Sequence, residues 1–154
     1  MRTITMLAVA AAAAALGACG CASFKVPEGY VKLSDPGYLY QTEAVSADGV
    51  YLGLRKPQSS EDGNLDFWAK AIKNQMTGVR GYIFASEADL QSADGTPGKR
   101  MDFTANLGGR ELGYAVAVWV LGKRVFVAEA GGPKDKFDAD RAKIEAALKT
   151  VRLK

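Results

Sequence analysis

The chain of 154 residues contains no histidine. That removes the commonest general base, the usual Ser-His and Cys-His nucleophile pairs, and most catalytic zinc sites. Cysteine occurs twice, at Cys19 and Cys21. With both so near the start, no internal staple or Cys-based metal site is available. A basic stripe is also missing, since the longest cationic clusters are pairs such as Lys99-Arg100 and Lys123-Arg124. Nucleic-acid binding is therefore not expected. Arg2 is the one charge before residue 19, so the remainder holds 19 Lys and Arg against 17 Asp and Glu. Only one long apolar run exists, from Ile4 to Leu16. It is shorter than the roughly 20 residues that cross a bilayer core of about 30 Å.

What is present at the start has the zones of an export signal: Arg2, then the alanine-rich run, then Leu16-Gly17-Ala18-Cys19. That tetrapeptide matches the lipobox of bacterial lipoproteins. Leu16, Gly17 and Ala18 are the peptidase recognition residues, and Cys19 receives the diacylglycerol. The alternative is plain secretion with cleavage after Ala22. Residues 1–18 thus read as a lipoprotein signal peptide, 19–29 as an acylated cysteine and short tether, and 30–154 as one domain. Several acyl chains, palmitate among them, anchor stably where one does not. Gly20 in place of aspartate after the cysteine favours the outer over the inner membrane by the enteric sorting rule, with the domain facing the periplasm. Cys21 either pairs with another chain's Cys21 or remains a free thiol.

The mature chain alternates strand and helix signals. Asp48-Gly49 between Leu39 and Arg55 predicts a hairpin. Asn64 is a good helix N-cap, and Leu65, Trp68, Ile72, Met76 and Val79 recur on one face, with Gly78 and Gly81 closing the helix. Turns are expected at Asp94-Gly95, Pro97-Gly98, Gly108-Gly109 and Gly131-Gly132-Pro133. Met101, Phe103, Ala105 and Leu107 alternate with Asp102, Thr104 and Asn106, which predicts a strand with one wet face. From Tyr114 to Leu121 both faces are apolar, as they are from Arg124 to Ala130, so these two strands are expected at the sheet centre. A last helix is expected over about 135–149, burying Phe137, Ile144, Leu148 and, just beyond it, Val151. The fold class is α+β: an antiparallel sheet flanked by helices, preceded by the signal peptide. Two long helices suit one on each sheet face, or both on one face with the other left for a partner.

Leu65-Asp66-Phe67-Trp68 opening a helix, Gly81-Tyr82 and Asp94-Gly95 before a strand form one pattern. Tyr114 to Val118 with Gly122-Lys123-Arg124-Val125 forms another. Glu129-Ala130-Gly131-Gly132-Pro133, Phe137 and the ending Val151-Arg152-Leu153 complete the set. Over residues 28–153 this resembles the PsbP-like, Mog-type α/β/α sandwich superfamily, including bacterial envelope lipoproteins of the DcrB type. The resemblance implies a sandwich fold and a protein that binds or assembles other proteins, with no shared catalytic residues.

Among individual residues, Gly131-Gly132-Pro133-Lys134 lacks phosphate-loop spacing, and Asp48, Asp62 and Asp94 read as turn residues rather than calcium ligands. Glu129 in an apolar strand is expected at a strand end or paired with an Arg or Lys. Trp68 and Trp119 fall in register with core stripes. Tyr38, Tyr40 and Tyr51 on the first hairpin are the candidate partner contacts, tyrosine being enriched at interfaces. No cofactor, metal or catalytic residue is expected. The reading is a membrane-anchored, non-catalytic envelope lipoprotein with a protein partner. The alternative is a carrier of a small ligand between helix and sheet.

Overall fold

The computed structural model describes residues 21–154. The lipobox residues Leu16, Gly17, Ala18 and Cys19 lie outside the described residues. Strands β1 (Ala22–Ser23), β2 (Tyr30–Lys32), β3 (Tyr40–Ser46), β4 (Tyr51–Arg55) and β5 (Gln58–Ser59) precede helix α1 (Leu65–Asn74). Then come β6 (Ile83–Gln91), β7 (Pro97–Leu107), β8 (Arg110–Leu121), β9 (Arg124–Pro133), α2 (Lys134–Ala139), α3 (Arg141–Lys149) and β10 (Arg152–Leu153). The main sheet runs β2-β3-β4-β9-β8-β7-β6, all antiparallel, with β5 also paired to β9.

The strands with two apolar faces, β8 and β9, lie side by side in the middle of this order. Each of their faces feeds a separate core. Ala115, Ala117, Trp119, Phe126 and Ala128 pack beneath α2 and α3, with Phe137, Ile144, Leu148 and Val151. Tyr114, Val116, Val118 and Val125 pack beneath α1, with Ala69, Met76, Met101 and Phe103. Helices therefore flank both faces. A sheet dry on both sides demands this, because one uncovered face would leave a row of valines in water.

Asn64 caps α1 as its residue type predicts: its Oδ1 accepts from the Phe67 amide at 2.9 Å. Asn64→Ala is expected to cost about 1 kcal/mol of stability in urea unfolding. The regular helix ends earlier than the apolar spacing suggests. Gln75–Val79 winds as a π-helical turn, in which the Arg80 amide donates to the Gln75 carbonyl at 3.1 Å. The wider turn throws the side chain after Met76 out of phase, so Met76 is buried and Val79 is 80% exposed.

Five further expectations are corrected. Pro97-Gly98 and Gly131-Gly132-Pro133 belong to strands β7 and β9 rather than to turns. Asp102 does not lie on a wet face. It is buried with Arg100, whose Nη2 is 2.8 Å away, and Arg141 of α3 approaches the same carboxylate oxygen at 3.5 Å. Leu107 is exposed at the tip of the β7–β8 ribbon, which extends past Leu112, where pairing with β9 ends. The last helix breaks at Asp140, whose carboxylate accepts from the Tyr30 hydroxyl at 2.9 Å and pairs with Lys143 at 3.1 Å.

The stretch 19–29, read as a tether, is fastened to the domain over its described portion. Ala22 and Ser23 pair with Leu153 and Arg152, and the Lys25 amide donates to the Thr150 Oγ1 at 2.8 Å. Ala22 itself is buried. Among the described residues no helix is long and apolar enough to cross a membrane.

Candidate functional site

Helix α1 lies over β7 and β8 and leaves the β4, β3 and β2 half of its face without a helix. That half carries Val31, Glu43, Val45, Tyr51 and Arg55, all at least partly exposed. Its geometry follows from two glycines. A Cβ on Gly53 would stand 2.8 Å from the Tyr40 ring, and one on Gly131 would stand 2.7 Å from Tyr114 and 3.0 Å from Tyr51. Only glycine at these strand positions lets the three rings lie down on the sheet. Tyr82 then packs on Tyr114 with ring centroids 5.3 Å apart, and Tyr51 on Tyr114 at 6.3 Å.

Glu129 stands at the centre of this floor. Its Oε1 is 2.8 Å from Arg55 Nη2, and its Oε2 accepts from the Tyr40 hydroxyl at 2.7 Å. The Arg55 guanidinium also stacks 5.6 Å from the centre of the Tyr40 ring. Burial opposes the Arg55 charge, but the Glu129 carboxylate outweighs it and holds the guanidinium above its usual value. Burial, the Glu129 hydrogen bond and the Glu129 charge together push the Tyr40 hydroxyl up to about 12. Burial first, then neighbouring hydroxyl and carboxylate groups, raises Tyr51 and Tyr114 further still. Tyr30, buried and bonded to Asp140, is raised as well.

All four shifts disfavour tyrosinate, so the site offers neutral hydroxyls at neutral pH. In an alkaline titration four of the six tyrosines should resist ionisation until the fold gives way. Because their folded values lie above the unfolded one, their stabilisation is complete below about pH 10 and is lost as pH rises from there. The check is the ultraviolet tyrosinate band followed alongside circular dichroism. A full tyrosinate band before any loss of fold would refute it.

Between α1 and the β4–β9 pair runs a cleft of about 310 Å³. Val116, Val125 and Val127 form its floor, Trp68, Ile72 and Met76 one wall, and Arg55 and Glu129 its far end. The π-helical turn shapes the rim, because it brings Gln75 and Arg80 to the opening. Arg55 Nε and Trp68 Nε1 are buried donors without a protein acceptor. Among the described residues no group of three or more Cys, Asp, Glu or His side chains comes together to hold a metal ion.

The three candidate partner tyrosines are separated by this arrangement. Tyr38 stands 87% exposed before β3, with the Lys56 ammonium 5.1 Å from its ring centre. Tyr40 and Tyr51 join the half-buried network. Their strands are inner ones, the sheet edges being β2 and β6. Trp68 borders the cleft, whereas Trp119 is fully buried against Gly98. Glu129 is paired with an arginine, as its setting in an apolar strand suggests, but sits mid-strand rather than at an end. Sequence reasoning missed Arg55 and Tyr114. The signal available was a strand glycine facing each ring, which is weak without knowledge of which strands are neighbours. Cys21 is an exposed free thiol.

No protein-family model matches this sequence, and no curated protein does either. Solved structures do match. The crystal structure of LpqN from Mycobacterium tuberculosis, described as involved in cell envelope biogenesis, superposes with a TM-score of 0.68 at 13% identity. That match covers 87% of this chain and 83% of LpqN. The solution structure of cyanobacterial PsbP (CyanoP) from Synechocystis sp. PCC 6803 gives a TM-score of 0.60 at 9% identity, covering 86% of both chains. Identities this low speak to architecture alone, and the architecture of this chain is the PsbP-like α+β fold.

Proposed function

We propose that this chain is a lipoprotein of the bacterial cell envelope, anchored through Cys19 in the outer membrane with its domain in the periplasm. Its work is to bind another envelope protein on the open half of its sheet rather than to catalyse a reaction. The observation that carries this reading is the helix-free half-face. Val31, Val45 and Tyr51 lie partly exposed there on a floor held rigid by the Arg55–Glu129–Tyr40 network. Rigid aromatic and aliphatic groups around a satisfied polar centre suit a protein interface. The lipobox and the resemblance to DcrB-type envelope lipoproteins support the location. So does the likeness in fold to LpqN, a protein described as involved in envelope biogenesis.

Two experiments test it. Cells fed an alkyne fatty acid should label the wild-type protein, while Cys19→Ser should lose the label and leave the membrane fraction. An unlabelled wild-type protein would sink the anchor. A photo-crosslinking residue at Val45 should capture one protein near stoichiometrically, and the same residue at Lys136 on the opposite face should not. Equal capture at both positions, or none at either, would reject the interface.

The carrier reading keeps one observation in its favour. The cleft of about 310 Å³ sits at the lower end of ligand-pocket volumes, roughly 300–1,000 Å³, and Arg55 Nε reaches no protein acceptor. Native mass spectrometry of protein from its own membranes separates the two. A constant added mass, lost in Arg55→Met, would favour the carrier.

A further inference from the structure

We propose that one pole of the domain lies flat on the membrane: the end of the sheet where β3, β7 and β9 begin and β4, β5, β6 and β8 finish. The proposal rests on the reading of Cys19 as the lipid site and concerns what that site does to the rest of the fold. Covalent geometry sets the first step. Only Gly20 separates Cys19 from Cys21, so their Cα atoms are within about 7 Å whatever the path. Cys21 is not free to move away from the domain, because its carbonyl accepts from the Lys154 amide at 3.1 Å and Ala22 pairs with Leu153. The acyl chains would therefore begin almost at the surface of the fold, with no leash between.

The contacts then identify which surface this is. The Ala22 amide donates to Gln41 Oε1 at the start of β3. Arg124 at the start of β9 reaches the Lys154 carbonyl and pairs with Leu121 and Ser59. The Lys56 amide donates to the Leu39 carbonyl at 2.9 Å, which places the chain before β3 on the same pole. The Asp48-Gly49 turn lies at the far end of β3 and β4.

The composition of this pole suits a bilayer interface. Tyr38, Leu39 and Leu121 are exposed there, at 87%, 52% and 43%. Lys25, Lys56, Lys123, Arg152 and Lys154 surround them, also exposed. Asp35, Glu61, Asp62 and Asp94 lie among them, Glu61 paired with Lys123 at 2.8 Å and Asp94 accepting from the Leu153 amide, so the lysines and arginines exceed the carboxylates by one. Tyrosine at headgroup depth, aliphatic groups below it and lysines reaching back to phosphate is the pattern of interfacial anchoring. Tyr38 thus belongs to the membrane side, and Tyr40 and Tyr51 to the partner side.

The test uses the full acylated protein. With the Cys19 sulfur in a thioether, Cys21 is the single thiol and takes a nitroxide label. Leu39→Cys and Asp48→Cys, each with Cys21→Ser, carry the label to the near pole and to the far end. In vesicles of phosphatidylethanolamine and phosphatidylglycerol, power saturation compares collisions with oxygen and with a water-soluble nickel complex. The expected result is an oxygen-to-nickel ratio several-fold higher at residues 21 and 39 than at residue 48. Interfacial values at 21 with water-like values at 39 would overturn the pole and leave the anchor standing. An unmodified Cys19 in the intact mass would overturn both.

Discussion

Replacing Glu129 with alanine is expected to lower the unfolding free energy by about 3 kcal/mol, because it strands a guanidinium that the fold has half buried. Glu129 is 5% exposed and holds both Arg55 and the Tyr40 hydroxyl. The loss lies in the unpaired charge rather than in the missing contact, and a double substitution separates the two. Arg55→Met with Glu129→Leu removes both charges at similar volume and should return to within about 1 kcal/mol of wild type. Urea unfolding of the single and double variants measures the cycle. If the double variant were as unstable as the single one, the network would matter for its geometry and not for charge pairing. Crosslinking from Val45 should fall in both variants if the network holds Tyr40 and Tyr51 in the posture a partner reads.

Phe137→Ala is expected to be at least as damaging, at about 4 kcal/mol. Phe137 is fully buried and drives its ring into a slot over β8 that exists because residue 113 has no side chain. A Cβ on Gly113 would sit 2.4 Å from Phe137 Cδ1 and 3.0 Å from Phe137 Cβ. Gly113→Ala should therefore destabilise from the other side by about 2 kcal/mol, through overpacking rather than a void. The two changes should be non-additive in a measurable direction, since alanine at 137 vacates the space that alanine at 113 needs. Thermal unfolding of the two single variants and the pair decides this. Simple additivity would mean that α2 shifts as a body and that the slot is not specific.

The elements legible in the sequence are those whose signals are local. Asp48-Gly49 fixes a hairpin, Asn64 fixes a helix start, and the doubly apolar runs at 114–121 and 125–130 mark the two strands that the structure places together mid-sheet. The misread stretches share a physical reason: their residues answer to partners far along the chain. Gly131 and Gly132 look like a turn until Tyr51, Tyr114 and Val50 are seen to occupy the space above them. Gly98 looks like a turn until Trp119 is found where its side chain would be. Asp102 looks wet until Arg100 and Arg141 meet it. The same holds for the site. Arg55 and Glu129 are on strands β4 and β9, and no spacing in one dimension pairs them. Pairing strands by register would have exposed the link, for Gly53 stands directly opposite Glu129.

The pairing of β1 with β10 has a mechanical meaning. A pull on Cys21 enters the fold through two ladder residues, Ala22 and Ser23, which would open in succession like a short zipper. Once the Lys25 amide has also left Thr150, and Phe24 and Val26 the core they pack against, residues 22–29 would run out as slack, eight residues that reach about 27 Å when extended, before load falls on Tyr30 and its bond to Asp140. If Cys19 is anchored as proposed, the protein would have two working lengths: a docked one, and a released one that would let the domain follow a bound protein away from the bilayer without leaving it.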